Sequence, residues 1–189
     1  EIDAVAEVIK SGWWGKGPKV AQFEKEFAKM VGAKYAIAVN SATSGQDLVL
    51  KALDIKDGDI INPTISFMTT AVVPLWNNCT SNIVDVKRDT LCTPGAGTKG
   101  DIAVWSFQAV KTMPCGDGGM ITTNSKELYD KMAPLTWLGI SSTYSRVKNS
   151  QKDKPGYAWD YEVDVLGYKY YMIDIIAAIG LEQMKKLPA

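Results

Sequence analysis

The sequence predicts an α/β domain in which a mainly parallel sheet is flanked by helices. Three observations carry this expectation. Short apolar runs of strand length alternate with amphipathic helical spacings, turn-forming Gly, Asp and Asn separate them, and one strand passes into a helix through Ser41-Ala42-Thr43-Ser44-Gly45. Strands that alternate with helices are joined by crossovers, and crossovers connect parallel strands.

The elements follow in chain order. Ile2, Val5, Val8 and Ile9 share one helical face, and Val20, Phe23, Phe27, Met30 and Val31 share another, with Pro18 near the start and Gly32 just past the end. Proline suits the first turn of a helix and glycine the left-handed residue that closes one, so two amphipathic helices are expected. Tyr35 to Val39 is an apolar run of strand length, and the helix opened by Ser41 runs to about Leu53. Asp57-Gly58-Asp59 marks a turn, Ile60-Ile61 a short strand, Met68 to Trp76 a helix and Asn82 to Val86 a strand. Asp101 to Phe107 and Met120 to Thr123 are further strands, and Ser125 caps a helix over Lys126 to Met132. Residues 141–165 are polar, contain Pro155-Gly156 and read as a long loop. Ile173, Ala177, Gly180, Leu181 and Met184 give a last helix.

Composition narrows the function. With 189 residues, 46 % of them apolar and 22 % charged, the chain is long enough to bury one substantial core. Twenty-one acidic and twenty-one basic residues cancel, and no basic cluster suggests a nucleic-acid partner or an anionic membrane surface. No apolar run approaches the roughly 20 residues that span a bilayer, and no signal segment opens the chain, so a cytoplasmic location is expected. Cys79, Cys92 and Cys115 show no C-x-x-C spacing and the sequence has no histidine, so no metal site is expected. The lack of histidine also removes Ser-His and Cys-His nucleophilic pairs, leaving Lys, Asp, Glu, Tyr or Cys for acid-base work.

Lys111 carries the most information about chemistry. It stands between the apolar run Ile102 to Phe107 and the turn Gly116-Asp117-Gly118-Gly119, which leads into a second apolar run. A lysine at the edge of a core can lose its proton more readily than one in water, and a neutral amine is what Schiff-base chemistry requires. A lone loop lysine is more often simply solvated. Ser41 to Ser44, at a strand-to-helix junction, offers free N–H groups and small hydroxyls to an anion, or else forms an ordinary cap. Phe67, after Ile60-Ile61 and Pro63, could stack on a ring or pack in the core.

These segments resemble the pyridoxal-phosphate-dependent sugar aminotransferases of the DegT/DnrJ/EryC1/StrS family. Ser106-Phe107 before Lys111, and Gly116-Asp117-Gly118-Gly119 after it, match that family's cofactor-lysine motif. Four further stretches match in order: Gly12-Trp13-Trp14-Gly15-Lys16-Gly17-Pro18 to Phe23-Glu24, Asn40 to Ser44, Pro63 to Phe67, and Gly167-Tyr168-Lys169-Tyr170-Tyr171-Met172 with Ala177 to Gly180. The resemblance implies the large domain of a fold-type-I enzyme with pyridoxal 5′-phosphate as cofactor. It implies that Lys111 is both cofactor anchor and catalytic base. Ala42, Thr43 and Ser44 would hold the phosphate with a hydroxyl from Ser106, and Phe67 would stack on the cofactor ring. The implied reaction moves an amino group, with glutamate as donor, to a keto group of a nucleotide-linked deoxysugar in polysaccharide biosynthesis. Related dehydratases carry histidine at this position, so lysine points to transamination.

The resemblance also marks departures. Between Asp89-Thr90-Leu91 and Gly97-Thr98-Lys99-Gly100-Asp101 the chain has a handful of residues where the family has a long segment, including the aspartate that pairs with the pyridine nitrogen. Residues 1–189 therefore read as a large domain lacking a segment near 92–97, with no C-terminal small domain after 189. Where many relatives read Gly-Tyr-Asn-Tyr-Arg-Met, this chain has Lys169 and Tyr171. The resemblance implies a homodimer with the site at the subunit boundary, and Lys169 could supply a charge toward the neighbouring subunit's phosphate. A regulatory pyridoxal-phosphate-binding relative and a degenerate fragment are the alternatives.

Overall fold

A computed structural model describes residues 1–85, 100–140 and 163–187. The order of elements is α1 (Ile2–Ser11), α2 (Pro18–Val31), β1 (Tyr35–Val39), α3 (Ala42–Ala52), β2 (Asp59–Pro63), α4 (Thr69–Trp76), β3 (Thr80–Val84), β4 (Ile102–Ser106), β5 (Gly119–Thr123), α5 (Lys126–Leu135) and α6 (Asp174–Met184). Most of the expected loop over 141–165, and the junction near 92–97 with Cys92, lie outside the described residues.

The α/β class holds. β2 and β3 pair in parallel, joined through α4, as a crossover requires. The second sheet has the order β1-β5-β4, and there the mainly parallel expectation needs refining: β5 runs antiparallel to both neighbours. The connection from Ser106 to Gly119 folds as a tight loop with no helix in it, and a connection without a crossover can only turn the next strand back. β1 and β4, each antiparallel to β5, therefore run in the same direction. Among the described residues β2 and β4 each have a strand partner on one edge only.

Alternation along the strands builds a core on each face of the three-stranded sheet. Ala36, Ala38 and Met120 meet Val20, Phe23 and Phe27 of α2, with Ala177 and Leu181 of α6. Their neighbours Ile37, Val39 and Ile121 meet Leu48 of α3 and Met132 of α5 on the other face. The small alanines leave room for the aromatic cluster, in which Phe107 lies 5.3 Å from both Phe23 and Phe27. The apolar face expected of α1 is buried only at Val8, since Ile2 and Ile9 are exposed, and Met30 of α2 is exposed as well. α1 rests against α6, whereas α2 packs on both α6 and β1 and leaves only its outer face to solvent.

Candidate functional site

The start of α3 forms one wall. Ser41 is extended and caps the helix: its Oγ accepts from the Ser44 N–H at 3.1 Å and lies 2.9 Å from the Ser44 hydroxyl. Gly45 N–H closes the first helical bond onto Ser41 O. Ala42 and Thr43 stand earlier in that turn, where a helix has no carbonyl to offer their N–H groups, so they present donors at the positive end of the dipole. The cap is real, and it arranges the donors an anion would use.

Gly119 seats this turn on the sheet. It pairs with Val39 on one side and Ser106 on the other. A Cβ built on Gly119 would lie 2.6 Å from Ala42 N and 2.8 Å from both the Ser41 carbonyl carbon and the Trp105 oxygen. Only a residue without a side chain lets the helix start approach so closely. Ser106 and the Ser41-Ala42 turn are thus both immediate neighbours of Gly119, and the Ser106 Oγ accepts a long 3.5 Å bond from Gln108 N–H.

The loop from β4 to β5 carries Lys111. Its base is stitched by Phe107 N–H to Gly118 O at 2.9 Å and Cys115 N–H to Phe107 O at 2.8 Å. Phe107, Met113 and Cys115 sink into the core and anchor both ends. Burial pushes the Cys115 thiol up to about 12, so it stays protonated and unreactive. The tip stands free in solvent, with Lys111 N–H closing a turn onto Gln108 O at 2.8 Å. Here the structure corrects the expectation of a lysine held at a core edge. The Lys111 side chain is exposed, and its Nζ lies 5.9 Å from the centroid of the Phe67 ring. Phe67 is 68 % exposed, so it is not a core residue. The chain brings an amine and an aromatic face together from loops more than forty residues apart.

Lys169 is exposed beside this region. Its backbone pairs with Trp137, and its carbonyl accepts from Asn40 Nδ2 at 3.4 Å, one residue before the cap of α3. A cavity of about 370 Å³ is lined by Asn40, Asp117, Lys169, Tyr171 and Met172. Lys169 and Tyr171 also wall a second cavity of about 320 Å³ with Trp13, Trp14, Lys16 and Trp137. A third, of about 480 Å³, lies apart from Lys111, Thr43 and Phe67, against Trp13, Glu24, Ile37 and Tyr129. Burial holds the Glu24 carboxyl above its ordinary range, against the opposing pull of the Lys16 charge and a 2.8 Å bond from Ala38 N–H.

Two buried aspartates escaped the sequence reading. Asp174 accepts from the N–H groups of Gly17, Lys19 and Val20 at 2.9 to 3.0 Å, capping α2 from the start of α6. Asp47, within α3, accepts from Asn77, Tyr170 and Lys51. An acidic residue in a first helical turn, like Asp174, or four residues before a lysine, like Asp47, ordinarily signals an exposed position. Among the described residues no cluster of His, Cys, Asp and Glu could hold a metal ion, and no helix is long and apolar enough to cross a membrane.

The two-faced α/β core places the chain in the fold class of solved aminotransferases. Within that class the chain belongs to the DegT/DnrJ/EryC1/StrS aminotransferase family, which matches residues 1–95 and 93–189. It is 34 % identical over 245 aligned residues to the spore coat polysaccharide biosynthesis protein SpsC of Bacillus subtilis (strain 168), covering 99 % of this chain and 61 % of SpsC. The aminotransferase from Psychrobacter cryohalolentis superposes with a TM-score of 0.82 at 26 % identity, over 98 % of this chain and 61 % of that one. Spr1654 from Streptococcus pneumoniae, in its PMP form, shares the fold with a TM-score of 0.82 at 20 % identity, over 98 % of this chain and 64 % of that one. The chain spans about three fifths of the length of these relatives.

Proposed function

We propose that this chain is the cofactor-binding large domain of a pyridoxal-phosphate-dependent sugar aminotransferase that works as a dimer. The residues present fit the cofactor. Ala42, Thr43 and Ser44 offer backbone and hydroxyl donors to its phosphate at a helix start, Ser106 adjoins that turn across Gly119, and Phe67 offers a flat face to its ring. The observation that carries the reading is the Lys111 ammonium lying over that face, 5.9 Å from its centroid. When bound, pyridoxal phosphate supplies the electron sink for the carbanion that transamination needs.

Lys111 then serves twice. Its amine would be the covalent anchor of the cofactor, and its Nζ would be the base that moves the proton at the donor's α-carbon. The donor is glutamate and the acceptor a keto group on a nucleotide-linked deoxysugar. Tryptophan faces suit a sugar ring or a base and a lysine suits a diphosphate, so the cavity that Trp13, Trp14, Trp137 and Lys16 help to line supports this substrate class. Lys169 is assigned to the phosphate of the neighbouring subunit's cofactor.

We also infer that a family segment is missing near 92–97. The family matches in two stretches that meet there, and the alignment with SpsC needs 245 residues for a chain of 189. β2, β3 and β4 each have one strand partner among the described residues, which leaves edges where further strands could pair. The decisive experiment is borohydride reduction of the protein with added pyridoxal phosphate, followed by peptide mass mapping. A pyridoxyl group on Lys111 is expected. An adduct on another lysine, or none, removes the assignment.

A further inference from the structure

The carboxylate of Asp47, on α3, bonds two other pieces of chain, and each of the three carries one of the proposed cofactor contacts. Asp47 lies one turn along α3 from Thr43 and is 2 % exposed. Its Oδ1 accepts from Asn77 Nδ2 at 2.8 Å, and its Oδ2 accepts from the Tyr170 hydroxyl at 2.8 Å and from Lys51 Nζ. Asn77 closes α4, the helix that begins just after Phe67, and its Nδ2 also donates to Val73 O at 3.0 Å within that helix. Tyr170 follows Lys169, and its carbonyl accepts from Asn40 N–H at 2.7 Å, immediately before the Ser41 cap.

Burial alone would raise the Asp47 pKa, but the bonds from Lys51, Asn77 and Tyr170 outweigh it and hold the carboxyl below its ordinary range. A buried ionised group is a poor way merely to fill space, because an apolar side chain would do so without the desolvation cost. What it gives is direction: two oxygens with assigned donors define the angle and depth at which three elements meet. The surroundings reinforce the arrangement. Lys51 Nζ lies 4.7 Å from the Tyr168 ring centroid, and Tyr168 stacks on Tyr170 at 5.2 Å with 13° between the planes.

We propose that Asp47 is a positioning residue, which acts through Tyr170 and Asn77 to hold the phosphate turn of α3, the Phe67 end of α4 and the Lys169 segment in one register. The proposal rests on the cofactor reading above. It predicts a separation that a general loss of stability would not produce. Tyr170→Phe removes one hydroxyl but keeps the stacked ring, so it loosens the α3 start while leaving Asn77 and α4 in place. Asp47→Asn turns one of the two accepting oxygens into a donor and removes the charge that strengthens the bond at the other, so it weakens both ties.

The test is titration of the purified protein and both variants with pyridoxal 5′-phosphate and, separately, with pyridoxal, which lacks the phosphate. Amide hydrogen exchange over residues 42–45 is measured alongside, without cofactor. For Tyr170→Phe the pyridoxal phosphate affinity should fall about tenfold while pyridoxal affinity stays within about twofold, as expected for a lost hydrogen bond to a charged group. Exchange at 42–45 should quicken about tenfold. Asp47→Asn should weaken both ligands. Equal losses for the two ligands with Tyr170→Phe, or unchanged exchange in both variants, would overturn the proposal. If the unaltered protein binds neither ligand the cofactor reading falls, and the exchange result alone decides whether Asp47 orders the α3 start.

Discussion

Gly119 and Ala42 touch in a way that leaves no room for a side chain: a Cβ on Gly119 would stand 2.6 Å from the Ala42 nitrogen. The atoms it would meet are backbone, held by β4 on one side and by the cap of α3 on the other, so neither can move aside cheaply. Gly119→Ala should therefore lift the α3 start off the sheet. A stability loss of about 1–3 kcal/mol is expected, the range for an overpacked core, with a parallel fall in pyridoxal phosphate affinity. Urea denaturation and cofactor titration check it. A variant as stable as the parent would mean that the turn is seated by something other than Gly119.

A second prediction concerns the donors of that turn. Thr43→Val with Ser44→Ala deletes two hydroxyls while leaving the backbone N–H groups and the Ser41 cap acceptor in place. Hydrogen bonds to a charged group contribute about 1.5–3 kcal/mol each, so affinity for pyridoxal phosphate should drop at least about tenfold. The Ser44 hydroxyl is already engaged with Ser41, so the single Ser44→Ala change should cost less than Thr43→Val. Unchanged affinity in the double variant would reduce this helix start to a cap.

Much of the fold was legible because it rests on local periodicity. The run Tyr35 to Val39, the Ser41 and Ser125 caps and the Pro18 and Gly32 boundaries all appear where pattern and turn chemistry place them. The parts that were not legible depend on distant partners. Asp174 caps α2 across 154 to 157 residues, and the Tyr170 that binds Asp47 lies 123 residues away, distances that no local pattern records. The motif located Lys111 but not its setting: exposure over Phe67 comes from the path of a loop, whereas the expectation of a core edge came from the apolar strands beside it. The reversed direction of β5 follows from the short loop between Ser106 and Gly119, which holds no crossover helix and returns the chain beside β4.

Glu24 yields a pH prediction of definite sign. Burial raises its pKa in the folded protein, so the folded state binds its proton more tightly than the unfolded chain does. Its stabilising contribution is complete below the unfolded value and is lost as pH rises through the folded one. Glu24→Gln keeps an oxygen for the Ala38 N–H and removes the charge. It should raise the melting temperature at pH 7–8 by about 2–4 °C and lose that advantage near pH 4. A benefit of equal size at both pH values would show that the carboxyl is not the cause.

On the proposed reading, transamination depends on what lies between Thr93 and Gly97. A chain that runs between them as written lacks the carboxylate that the family sets against the pyridine nitrogen, so the cofactor would bind while the carbanion stayed poorly stabilised. The Lys111 adduct should then form, yet turnover should be very slow. Restoring a family segment at this junction should bring transamination back without changing the residue that carries the adduct. Intact mass and activity are measured on the same preparation. A protein of 20.6 kDa that aminates a keto-sugar nucleotide at about 1 per second or faster would refute the missing-carboxylate account. A restored chain that still fails would instead favour a relative that binds the cofactor as a regulatory ligand.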